Sequence, residues 1–237
     1  MKKLVLFVAA IAATVSTFAQ SPVGTFSITP KVGINAANIT GKDFDASYDN
    51  AVLGDLDASA GATLGVVVGA EGAYQVTDRF AVSAGLIYSQ QGAERGSSIE
   101  TNFTGSNSKF EDNSKLALGY LNVPILANFY VYKGLAVKAG IQPGFLLSAK
   151  CEYDKKYTGD FATSNSNDTR SVDVKDDCEK FDFSIPVGVS YDFNCGIVLD
   201  LRYNIGLTKI GKKMAGYEPE SKNSVFQLTI GYKLPLN

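Results

Sequence analysis

Residues Phe181 to Leu207, FDFSIPVGVSYDFNCGIVLDLRYNIGL, decide the fold. In the first half Phe181, Phe183, Ile185, Val187, Val189 and Tyr191 alternate with Asp182, Ser184, Pro186, Gly188, Ser190 and Asp192, the two-residue period of a strand with one apolar and one polar face. After Asn194-Cys195-Gly196 the alternation resumes, with Ile197, Leu199, Leu201, Tyr203, Ile205 and Leu207 opposite Asp200, Arg202, Asn204, Gly206 and Thr208. The stretch predicts a long antiparallel hairpin. Each arm has about ten residues, the length a tilted strand needs to cross a bilayer and more than the five or six usual in a soluble sheet. Two readings remain open on the pattern alone, the core of a sandwich or a lipid-facing wall.

Outward from this hairpin the same period recurs. It predicts strands over Phe26–Ala36, Ala62–Val76, Phe80–Glu94, Lys115–Tyr132, Leu135–Lys150 and Asn223–Leu236, which with the hairpin makes eight. Thr77-Asp78-Arg79, Lys133-Gly134 and Asn194-Cys195-Gly196 join strands by short turns, whereas 38–61, 95–114, 151–180 and 209–222 read as long polar loops. Short and long connections alternate, so in an up-and-down meander all the turns fall at one rim and all the loops at the other. Outer-membrane barrels have this asymmetry, and a Greek-key sandwich has no reason for it. The expected fold is all-β, an eight-stranded antiparallel up-and-down transmembrane β-barrel with short periplasmic turns and long extracellular loops. The polar face then points into an interior just wide enough for side chains.

Targeting agrees with that fold. Met1-Lys2-Lys3 is a basic start, Leu4 to Val15 an apolar run, and Thr17-Phe18-Ala19 ends in small residues at the positions a signal peptidase reads. Residues 1–19 are expected to be a signal peptide cleaved after Ala19, leaving 20–237 as the barrel domain in the outer membrane. No apolar run of about twenty residues marks a membrane helix. The 237 residues carry net charge −2, with 22 basic against 24 acidic side chains; losing Lys2 and Lys3 leaves 20 against 24, or −4, which argues against nucleic acid. Histidine is absent. That removes the usual general base, the Ser-His and Cys-His nucleophile pairs and imidazole metal ligands together.

Several segments carry a family likeness. Ser83-Ala-Gly-Leu-Ile-Tyr-Ser-Gln-Gln-Gly92, Tyr120-Leu-Asn-Val-Pro-Ile-Leu126, Gly140 to Lys150 and Leu201-Arg-Tyr-Asn-Ile-Gly-Leu207 resemble the PorT-like family of Gram-negative outer-membrane β-barrel proteins. The resemblance spans essentially the whole mature chain and rests on strand patterns, so it implies fold and compartment and no catalytic residue. It also implies a link to protein secretion, which some named members have. Barrels of this kind usually end on an aromatic residue, whereas this chain ends Tyr232-Lys-Leu-Pro-Leu-Asn237.

Inward phasing collects Lys31, Glu71, Lys138, Asp200 and Arg202 inside the wall as a polar network, with a structural salt-bridge plug and a polar pathway as its two readings. Charges in so narrow a space must pair or hydrate, because an isolated buried ion costs several kcal/mol. Inward glycines at Gly65, Gly69, Gly85, Gly140 and Gly188 would widen the interior locally on the pathway reading. Cys151 and Cys178 frame the third loop, and a disulfide closing it and two free thiols both fit their spacing; Cys195 is the odd cysteine. The acidic residues between them lack calcium-loop spacing. Pro124, Pro143 and Pro186 fall inside strands, where bulges or register breaks are expected.

The function expected is non-enzymatic, with no catalytic residue, cofactor or metal: a barrel displaying loops for binding, adhesion or envelope assembly. A narrow pore or small-solute translocator is the alternative. Expected partners are outer-membrane lipid and, through the loops, other envelope proteins or extracellular ligands, with no nucleic acid and the oligomeric state left open. A soluble lipocalin-like barrel is the structural rival, and it would turn the apolar face inward.

Overall fold

The computed structural model describes residues 21–41, 56–103, 106–159, 167–213 and 220–236. The expected signal peptide and its cleavage site lie outside them. The strands are β1 (Phe26–Thr40), β2 (Leu56–Thr77), β3 (Phe80–Phe103), β4 (Ser106–Asn122), β5 (Ile125–Tyr132), β6 (Leu135–Gly159), β7 (Asn167–Asp173), β8 (Phe181–Asp192), β9 (Ile197–Gly206), β10 (Lys222–Tyr232) and β11 (Leu234–Leu236). All pairings are antiparallel. β5 continues β4, since both lie between β3 and β6, and β11 continues β10 along β1. The wall therefore has eight staves, β1, β2, β3, β4–β5, β6, β8, β9 and β10–β11. β10 pairs with β9 on one side and β1 on the other, so the last stave returns to the first.

Burial alternates along the staves with the polar residues inside. In β1 Ser27, Thr29, Lys31 and Asn35 are buried while Phe26, Ile28, Val32 and Ile34 are exposed. The hairpin of β8 and β9 behaves alike: Asp182, Ser184, Ser190, Asp192, Asp200, Arg202 and Asn204 are buried, and Phe181, Ile185, Val187, Val189, Tyr203 and Ile205 face outward. A water-soluble monomer rarely exposes a contiguous apolar patch beyond a few hundred Å². A band of this kind around every stave requires an apolar solvent, and the lipocalin-like arrangement is inverted.

Three of the expected long loops are partly strand. β3 and β4 stay paired from Ile87↔Asn122 to Phe103↔Ser106, straight through the stretch read as the loop 95–114. β2 begins at Leu56, and the segment read as the loop 151–180 holds the end of β6, all of β7 and a 3-10 turn at Lys175–Asp177. In sequence these extensions are rich in Ser, Asn and charge and lack the two-residue apolar period, while pairing through backbone bonds, which any side chain permits, continues. One half of the wall is consequently tall, with 24 residues in β3 and 25 in β6, against 10 in β9 and 11 in β10.

The ladders shift register at Ala62/Val67, Gln75/Thr77, Gly119/Tyr120 and Tyr130/Tyr132, and at Gly119/Tyr120 the expected facing reverses. Gly119 pairs with Ser148 but Tyr120 with Leu146, so Leu147 is an extra residue. Ala149 is buried, and Ser148 and Lys150, expected inside, are exposed. The prolines behave differently from expectation. Pairing of β6 with β8 skips from Ala139↔Val187 to Gln142↔Ser184 around Pro186, and β4 gives way to β5 at Pro124, in both cases without a shift of register. Pro143 remains paired with Phe183. The gaps are bridged in part, since Gly85 N–H donates to Pro124 C=O at 3.0 Å and Val123 N–H to Pro143 C=O at 2.8 Å.

Candidate functional site

The inward faces of β1, β2, β6 and β9 bring five charged side chains together in the half of the interior nearest the short turns. Lys31 Nζ donates to Glu71 Oε2 at 2.8 Å and to Asp200 Oδ2 at 3.4 Å, and Lys138 Nζ donates to Asp200 Oδ2 at 2.7 Å. Arg202 grips Asp200 with two bonds, Nε to Oδ1 and Nη2 to Oδ2, both 2.6 Å, a forked geometry suited to guanidinium and carboxylate. Its Nη2 also donates to Glu71 Oε2 at 2.8 Å, while Nη1 lies 2.6 Å from Oε1 off the hydrogen-bonding line. Arg202 is 2% exposed and Asp200 1%. Neither β1 nor β6 is adjacent to β9, so these bonds cross the interior rather than run along the wall.

Local sequence makes room for them. Across the ladders Glu71 faces Gly85, Arg202 faces Gly188, and Lys31 faces Gly69. A Cβ at Gly85 would stand 2.5 Å from Glu71 Cγ, and one at Gly188 would stand 2.2 Å from Leu201 C=O and 3.1 Å from Arg202 Cγ. These glycines therefore do not widen the interior. Their missing side chains are replaced by neighbouring backbone and by the long charged groups opposite.

A second cluster, absent from the sequence-based set, closes the short-turn end. Tyr130 O–H donates to Asp192 Oδ2 at 2.9 Å, and Lys233 Nζ is ion-paired with the same oxygen and lies 3.4 Å from the tyrosine oxygen. Asp192 sits on the inward phase of its strand, a signal that could have found it. Lys233 stands alone between β10 and β11, and only the fold brings it inside.

At the long-loop end the filling is apolar. Ile39, Ala93, Leu118, Tyr120, Leu146 and Ala149 pack with Cys178 and Ile210, which two connections carry in over the opening. Those connections are pinned together: Glu179 N–H donates to Ile210 C=O at 2.7 Å, Lys212 N–H to Asp177 C=O at 2.9 Å, and Cys178 bridges to Gly211. Burial pushes the Cys178 thiol up, with the nearby Asp177 carboxylate adding to the effect. Cys151 pairs with Leu116 on one side and Val172 on the other. Cys151, Cys178 and Cys195 are all free thiols, Cys195 exposed in the turn before β9.

Chemically the interior offers paired charges and packed apolar groups, and its cross-bonds tie distant staves. Among the described residues there is no group of three or more metal-ligating side chains.

Over residues 18–211 the chain matches the family model described as outer membrane protein beta-barrel domain. Among solved structures it is similar to Ail, the attachment invasion locus protein of Yersinia pestis, at 12% identity over 90% of this chain and 100% of that one, with a TM-score of 0.40. Neisserial surface protein A is similar at 14% identity over 88% and 97%, with a TM-score of 0.38. The outer membrane protein OprG from Pseudomonas aeruginosa follows at 11% over 92% and 99%, with a TM-score of 0.30. No curated protein sequence matches this one.

Proposed function

The chain belongs to the outer membrane protein beta-barrel domain family, and from that premise we propose that it is a non-enzymatic barrel presenting its long-loop end to the outside for binding, adhesion or assembly with other envelope proteins. The secretion-linked role implied by the PorT-like resemblance is one such assembly. On this reading the eight staves form a closed transmembrane barrel, residues 1–19 are removed after Ala19 on export, and the short turns face the periplasm. The observation that carries it is the filled interior: Lys31, Glu71, Lys138, Asp200 and Arg202 bond across the space a solute would need. What remains for partners is the tall half of the wall, where β3, β4 and β6 run on past the apolar band. Protease added to intact cells should cut between residues 95 and 180; full protection there overturns the outward display.

A narrow pore is the second reading, favoured by buried polar atoms without protein partners on the inner wall, Asn204 Nδ2 and Oδ1, Ser190 Oγ and Thr229 Oγ1, which water would satisfy. Planar bilayers separate the two. Display predicts no discrete conductance step, and a reproducible step that changes in Glu71→Ala favours the pore.

A further inference from the structure

The short-turn half of the interior holds more positive than negative charge. Four cations, Lys31, Lys138, Arg202 and Lys233, are paired with three carboxylates, Glu71, Asp192 and Asp200, one positive charge in excess within a chain whose net charge is −2. Among the described residues the remaining buried carboxylate is Asp182. It lies at the far end of β8 from Asp192, where its oxygens accept from Thr208 Oγ1 at 2.6 Å and Asn223 Nδ2 at 3.5 Å, too distant to balance the excess. An uncompensated charge out of bulk water is costly, and the cost falls when a counter-ion shares the site.

Donors are also in excess. An ammonium carries three N–H groups. The carboxylates and the Tyr130 hydroxyl take two from Lys31, one from Lys138 and two from Lys233, so each lysine has N–H to give. All three line one cavity of about 30 Å³ between the two ion clusters, together with Ser83, whose oxygen accepts from Asn128 Nδ2 at 3.0 Å and whose own proton is free to donate. The acceptors left over there are Asn128 Oδ1 and Glu71 Oε1, the second held 2.6 Å from the Arg202 guanidinium. A cavity of this size takes one water or one monatomic ion. Water would meet some of the donors and leave the charge.

We propose that this cavity is a binding site for a single small inorganic anion, a halide, with chloride as its occupant in the cell. Lys31, Lys138 and Lys233 hold it by charge-assisted N–H donation, and the Ser83 hydroxyl adds a neutral donor. The way in is from the short-turn end. Asp192, Val198 and Lys233 line the cavity and also an open hollow there, beside Pro22, Cys195 and Tyr232. The anion completes the neutralisation that the protein's own carboxylates leave one charge short, and it does so whether or not the barrel conducts.

The test uses the mature barrel refolded in detergent micelles. Chloride and bromide, replacing gluconate at constant ionic strength, should raise the denaturation midpoint saturably, gluconate being too bulky for the cavity. Bromide-grown crystals should give one interior anomalous peak in contact with the three lysine nitrogens. Lys138→Met evens the charge count, so it should abolish the peak and weaken the halide dependence by roughly tenfold or more, the expected loss for one charge-assisted contact. Should that variant not fold, Ser83→Ala keeps the charges and should weaken the dependence severalfold. A midpoint indifferent to the anion, a halide dependence unchanged in these variants, or bromide found only on the surface overturns the site.

Discussion

Toward the short turns the interior is closed by Lys31, Glu71, Lys138, Asp200 and Arg202, and toward the long loops by Ile39, Leu118, Tyr120, Leu146, Cys178 and Ile210. Both layers fill the space between the staves, but they respond differently to damage. In the charged layer each member depends on the others, because removing one leaves its buried partners with fewer bonds. In the apolar layer the loss scales with the volume removed and with how far the neighbours relax. The charged layer also dictates which staves stand opposite one another, since its bonds are directional. The apolar layer tolerates any neighbour of fitting shape.

The largest effect expected from this contrast is Arg202→Met. It strands Glu71 and Asp200 with fewer cations and should cost about 3–5 kcal/mol of unfolding free energy, read by urea titration of the micelle-bound barrel. A loss below about 1 kcal/mol would mean that the layer does not depend on its guanidinium. Leu118→Ala in the apolar layer should cost about 2–4 kcal/mol, the usual range for a buried leucine truncated beside neighbours that close in only partly. Combining the two substitutions sharpens the comparison. If the layers are independent, the losses add to within about 0.5 kcal/mol, whereas strong coupling would join them into one cooperative plug. The smallest effect belongs outside: Lys115→Ala removes a 2.9 Å pair with Glu94 whose side chains are 38% and 51% exposed, and should change stability by less than about 1 kcal/mol.

Much of the wall was legible because strand period is a property of the backbone. Facing is fixed once the phase is known, and the inward set on β1, β2, β6 and β9 can be counted off without knowing the register. Three things were hidden for identifiable reasons. The tall extensions of β3, β4 and β6 carry no apolar period and are joined by backbone pairing, which leaves no mark on side-chain type. The extra residue at Leu147 reverses the phase, so Ser148 and Lys150 could not be placed by counting. The Tyr130, Asp192 and Lys233 cluster joins residues 62 and 41 positions apart in sequence, and what brings them together is the curvature of the wall that turns β5, β8 and the end of β10 toward one interior.

The backbone that crowds the glycines opposite Glu71 and Arg202 makes them fixed points of the interior. A Cβ at Gly85 would stand 2.6 Å from Ala70 C=O as well as 2.5 Å from Glu71 Cγ, and one at Gly188 would stand 2.2 Å from Leu201 C=O. Trimming Glu71 or Arg202 therefore frees no room for a side chain opposite, because the backbone contact remains. In relatives of this chain the two glycines should persist even where the charges they face have been exchanged.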